Sequence, residues 1–82
     1  MISEMTVGAR ETLRMLEKGH LKEVLVARDS DRFVIRPVIE TAEQRRVKVT
    51  YIDTKKSLGS ICGIGNGAAV AGRIREKKRI QN

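Results

Sequence analysis

An 82-residue chain that is 40% hydrophobic, with 17 Lys and Arg against 10 Asp and Glu, makes one small domain. Its net charge of +7 suits a polyanionic partner. One cysteine (Cys62) and one histidine (His20) exclude an internal disulfide and a Cys-based metal site, and leave only a Cys62–His20 pair for His-dependent nucleophilic catalysis.

No run of eighteen apolar residues and no signal-peptide pattern is present, so a soluble, cytoplasmic protein with no metal or cofactor is expected. Thr6 is placed to cap a helix starting near Val7. Val7, Ala9, Leu13 and Leu16 then share one side, with Thr12 and Met15 at its margins, and Gly19 stops the helix in the left-handed conformation. Arg10, Arg14 and Lys18 line the other side at i, i+4 and i+8. Like charges at that spacing repel by ~0.2–0.5 kcal/mol per pair. Glu11 and Glu17, each three residues from Arg14, relieve part of this, and an external anion would relieve the rest.

Lys22–Ala27 is a continuous apolar run after its first two residues and reads as an interior strand covered on both faces. Arg28-Asp29-Ser30-Asp31 is a turn. Residues 32–46 have helical character, but Pro37 suits a first turn. The reading is therefore an irregular turn over 32–36 and a regular helix from Pro37 to about Arg45, burying Val38, Ile39 and Ala42. Val47–Ile52 alternates as a second strand. Thr54 caps a short helix through Cys62, with Leu58, Ile61 and Cys62 facing inward and Gly63 ending it. Residues 64–67 form a loop, Ala68–Ile74 a last strand, and a frayed basic tail begins at about Arg75. Met5-Thr6-Val7 can add a very short fourth strand. Alternating strands and helices make an α/β fold, a three-layer α/β/α sandwich with a small mixed sheet of three to four strands.

Two stretches carry the chemistry. The first is the helix opening Gly8–Arg14, which sets a carboxylate among cations. A carboxylate near a helix start is stabilised by the macrodipole. Glu11 can also accept from the N1–H and amino group of guanine while Arg residues hold the phosphates. The second stretch has glycines at 59, 63, 65 and 67, with small Ala68 and Ala69 extending a surface poor in side chains. Its spacing does not match the dinucleotide fingerprint, nor is there a phosphate-loop Gly-Lys-Ser/Thr. With one Phe, one Tyr and no Trp, the chain offers little for stacking loose strands, so a folded RNA is the expected target.

Gly8-Ala9-Arg10-Glu11-Thr12-Leu13-Arg14 resembles the Gly-x-Asn-Glu-x-x-Lys stretch of the kink-turn-binding ribosomal proteins, the L-seven-Ae and L-thirty-e group. Val24–Asp29 resembles their buried strand ending in Ala-x-Asp. Lys55–Ile64 resembles their Lys-Lys-x-Leu-Gly-x-x-x-Gly-Val/Ile signature, and an Ala-rich strand follows. The length resembles the small bacterial members. The resemblance spans about Val7 to Ile74 and implies a monomer that binds kink-turn RNA, a bent duplex with sheared tandem G·A pairs and a flipped-out nucleotide, in ribosomal or riboswitch RNA. By position it implies Gly8, Arg10, Glu11 and Arg14 at the G·A bases and backbone, and Ile64, Gly65 and Asn66 against the flipped nucleotide. Lys18 and Lys55 are phosphate contacts by charge and position. Arg10 stands where the family has Asn, and the loop is smaller than usual. Two other readings are a basic ribosome-associated protein that touches RNA by charge alone and a protein-interaction module on the same fold. No nucleophile, base and orienting group cluster to suggest an enzyme.

Overall fold

The polarity of the strands decides where this molecule can bind anything. In the computed structural model, which describes residues 4–75, the chain forms β1 (Met5–Val7), α1 (Ala9–Glu17), β2 (Leu21–Ala27), α2 (Arg32–Gln44), β3 (Lys48–Ile52), α3 (Lys55–Cys62) and β4 (Val70–Ile74). The sheet order is β1-β4-β2-β3. Strand β4 runs antiparallel to β1 and β2, while β2 and β3 are parallel and joined through α2. Strands β1, β2 and β3 therefore point the same way, and each leads into a helix. All three helix N-termini gather at one end of the sheet, where β4 begins.

Strand β2 explains the layering. Its residues alternate between two apolar clusters: Val24 and Val26 pack with Leu16, Val38, Ala42 and Val70, whereas Leu25 and Ala27 pack with Leu58, Ala68 and Ala71. Helices α1 and α2 cover the first face and α3 the second, giving the α/β/α sandwich. Each helix ends in a left-handed residue: Gly19, Arg46 and Gly63. The bonds Gly19 N–H to Leu16 O (2.9 Å) and His20 N–H to Met15 O (3.0 Å) close α1 in a Schellman motif, and the same pattern closes α2 and α3.

Several details differ from the sequence reading. Thr6 does not cap α1. It lies in β1, and its buried hydroxyl bonds the Thr12 hydroxyl at 2.8 Å, while Gly8 occupies the N-cap with no side-chain bond. Val7 is part of the strand and exposed, and Thr12 is fully buried instead of marginal. Helix α2 is regular from Arg32, because the Asp31 carboxylate accepts from the Phe33 amide at 2.9 Å and starts it five residues before Pro37. Pro37 lacks the N–H that would have bonded Phe33 O and its ring crowds that carbonyl, yet α2 continues through it. Ile61 is 46% exposed instead of inward, and Ala68 is buried instead of extending the bare surface. Strand β4 begins at Val70, not Ala68, and β2 begins at Leu21. Beyond Arg75, whose amide donates to His20 O at 2.8 Å, the expected tail lies outside the described residues. No helix among the described residues is long and apolar enough to cross a membrane.

Candidate functional site

Gly8 turns the chain from β1 into α1 at φ 100°, ψ 150°, a conformation that a side chain strongly disfavours. Its amide donates to Val70 O at 2.8 Å and its carbonyl accepts from Thr12 at 3.0 Å. The opening of α1 is thus bonded to the first residue of β4. Because glycine has no capping side chain, the first-turn amides of α1 are left for another acceptor, at the positive end of the helix dipole. Glu11 sits in this turn, half-exposed. One of its carboxylate oxygens accepts from the Arg14 guanidinium at 3.2 Å. Both groups are about half in solvent, so the pair is weak and available to be rearranged by a ligand. Arg10 is exposed on the same turn.

The glycine-bearing segment reaches the same end of the sheet from the other layer. Thr54 accepts from the Ser57 amide at 3.0 Å and starts α3, and Gly63 (φ 78°) ends it. Gly59 is buried within α3 because the loop lies directly on it: a Cβ there would sit 2.1 Å from Asn66 O. Gly67 packs against Lys55, and the Ala68 amide donates to Lys55 O at 3.0 Å. Ile64, Gly65 and Asn66 are left exposed on the rim. A Cβ at Gly65 would meet nothing within 4 Å, so its small size leaves outer space clear. Three residues after Gly67 the chain reaches Val70, whose carbonyl holds Gly8.

Among the sequence-predicted residues, then, Gly8, Arg10 and Glu11 stand at the opening of α1, which is bonded to Val70 at the start of β4, while Ile64, Gly65 and Asn66 belong to the loop that lies on Gly59 and runs past Lys55 into the same strand. Arg14 lies one turn further along α1 and joins them through Glu11. Lys18 does not join them. It is the C-cap of α1, about 15 Å from Gly8 at 1.5 Å per residue.

Two supporting residues carried no role in the sequence reading. Asp29, in the β2–α2 turn, accepts the Lys55 amide at 2.8 Å and so anchors the start of α3. Its place at the end of the apolar strand was visible, but its partner 26 positions away was not. Thr12 ties α1 to β1 through the Thr6 hydroxyl, and only its burial reveals that role. Elsewhere, burial pushes the Cys62 thiol up, partly opposed by Arg73. His20 follows α1 and Cys62 ends α3, on opposite faces of the sheet, which separates the one pair considered for catalysis.

This architecture has known counterparts. The chain is 44% identical over 69 residues to a Geobacillus protein, covering 84% of each, and 38% identical over 68 residues to a protein of Caldanaerobacter subterraneus subsp. tengcongensis, covering 83% of each. Both relatives bear the name RNA-binding protein. The solved structure of the Giardia lamblia 15.5kD RNA binding protein shares the fold, with a TM-score of 0.84 at 24% identity over 90% of this chain, which spans 62% of that one. The profile of the ribosomal protein L7Ae/L30e/S12e/Gadd45 family matches residues 3–81, and this chain belongs to that family.

Proposed function

We propose that this protein is a non-catalytic RNA-binding protein, a single domain that holds kink-turn RNA in its bent form. The observation that carries this reading is the Gly8 amide bond to Val70 O, which sets the opening of α1 beside the end of the glycine loop. Relatives named as RNA-binding proteins, and the net charge of +7, support the class of partner.

In the proposed mechanism, Glu11 leaves Arg14 and accepts from a guanine edge in a sheared G·A pair, where the helix is distorted enough to expose it. Arg10 and Arg14 hold the flanking phosphates, helped by the uncapped amides of α1. The Ile64-Gly65-Asn66 rim lies under the flipped-out nucleotide, and Lys55 meets a phosphate beside it. Lys18 contacts phosphate further along the bent arm. Because the bent RNA is bound better than the extended one, binding shifts the RNA population toward the kink.

A calorimetric titration with a kink-turn and with the same RNA made Watson–Crick at its G·A pairs tests the proposal. Wild type is expected to prefer the kink-turn. Glu11→Ala is expected to weaken kink-turn binding by ~1–3 kcal/mol, the scale of one lost base contact. Equal affinity of wild type for both RNAs, or undiminished kink-turn binding by Glu11→Ala, would contradict it and favour contact by charge alone.

A further inference from the structure

A second feature of the same end of the sheet is not used by that mechanism. Between α2 and the end of β3 lies an open cavity of about 400 Å³, lined by Arg28, Ser30, Arg32, Ile35, Ile39 and Tyr51. It continues along α2 into a smaller one of about 310 Å³, which shares Arg32, Ile35 and Ile39 and adds Arg36 and Glu40. The floor is therefore aliphatic, one wall is aromatic, and the rim is cationic. Tyr51 is the only tyrosine of the chain and is 47% exposed, with the Arg28 guanidinium 5.6 Å from its ring centroid. Among the described residues, the Arg28 guanidinium is otherwise held only by Asp53 at 4.0 Å, both well exposed. Arg36 is paired with Glu40, whereas no ion pair holds Arg32 among the described residues. Ser30 contributes a buried hydroxyl without a hydrogen-bond partner among the described residues.

An aromatic face, a guanidinium able to slide over it, and a second cation within a few residues are the parts that bind one unpaired nucleotide. The backbone places this groove next to the first site. Ala27 N–H bonds Ala69 O at 2.9 Å, Arg28 N–H bonds Ile52 O at 2.8 Å, and Asp29 holds Lys55. Crossing the end of the sheet from α1, one meets the glycine loop, then Arg28, then Tyr51.

We propose that this groove takes a single-stranded nucleotide flanking the bound RNA, its base against Tyr51, its phosphates on Arg28 and Arg32, and the Ser30 hydroxyl bonded to the base or sugar. The inference rests on RNA as the partner, but not on the G·A-reading role of Glu11.

The experiment has two arms. In the first, affinity is compared for a blunt kink-turn and one carrying a three-nucleotide single-stranded extension. The extension is expected to tighten wild type by about ten-fold, the scale of one stacked base with its phosphate. Arg28→Ala and Tyr51→Ala are expected to lose that gain while binding the blunt RNA as wild type does. No gain, or a gain that survives both substitutions, overturns the proposal.

The second arm omits the kink-turn and follows the Tyr51 ring protons by NMR during titration with a short oligouridylate and, separately, with uridine monophosphate. Upfield ring shifts with the oligonucleotide, absent in Arg28→Ala, support it even if kink-turn binding itself fails. Shifts with the free nucleotide at equal affinity would assign the groove to small nucleotides instead, and no ring shift with either would rule out stacking.

Discussion

Glu23 joins three strands through one carboxylate. Its Oε2 accepts from the Thr50 hydroxyl on β3 and its Oε1 from Arg73 Nε on β4 at 3.0 Å. The Thr50 bond, and then Arg73, hold its carboxyl below the ordinary value of 4.5 against the opposing effect of burial. A lowered folded pKa means that this stabilisation is complete above pH 4.5 and is lost as pH falls through the folded value. Urea unfolding from about pH 7 to about pH 3 should therefore show a steeper acid loss in wild type than in Glu23→Gln, which has no charge to neutralise. Parallel curves would mean that this carboxylate does not link folding to protons. Little of this was readable in the chain, since Glu23, Thr50 and Arg73 lie 27 and 50 positions apart and meet only through strand register. Thr6 was misread for a different reason: its partner Thr12 is only six positions away, but the bond forms only because Thr6 is the middle residue of β1 and not the cap of α1. By contrast, the sequence alone placed Gly8 and Glu11 on the opening of α1. Only glycine takes that backbone turn readily, and a carboxylate belongs in a first turn.

The C-terminal helix ends were the most legible elements, because their capping chemistry is local. Thr54, Gly19 and Gly63 act as read, whereas Thr6 lies in β1 and Pro37 misled because α2 continues through it from an earlier start capped by Asp31. Helix α2 closes on Arg46 at φ 59°, where α1 and α3 use glycine. Arg46→Gly should relieve a left-handed penalty of about 1–2 kcal/mol, less the glycine entropy cost, for a net gain of about 0.5–1 kcal/mol in chemical unfolding. A loss of stability would show that the Arg46 side chain contributes more than its backbone costs. In α3, Gly59 has the opposite logic. Alanine would ordinarily favour a helix by about 0.5–1 kcal/mol, but here its Cβ would meet Asn66 O at 2.1 Å. Gly59→Ala is thus expected to push the 64–67 loop outward, lowering kink-turn affinity by about ten-fold or more while α3 persists by circular dichroism. Unchanged affinity would mean the loop's seat on α3 is not needed for binding.

Topology sets where the proposed recognition chemistry lies. Three parallel strands each feed a helix, so three positive helix ends meet at the edge where β4 begins, beside the carboxyl ends of the strands where open α/β sheets commonly bind ligands. The alternation of strands and helices made the sandwich readable from the chain. The insertion of β4 between β1 and β2 was not, because pairing partners leave no local mark on sequence. That insertion is nonetheless what bonds the opening of α1 to the strand that follows the 64–67 loop, through Gly8 and Val70. The decisive test is to follow backbone amide resonances while kink-turn RNA is added in increments. A single shared surface requires Gly8–Arg14 and Ile64–Gly67 to shift together, saturating at the same RNA ratio. Shifts confined to one of these stretches, or centred on the outer faces of α1 and α2 instead, would contradict a single shared surface.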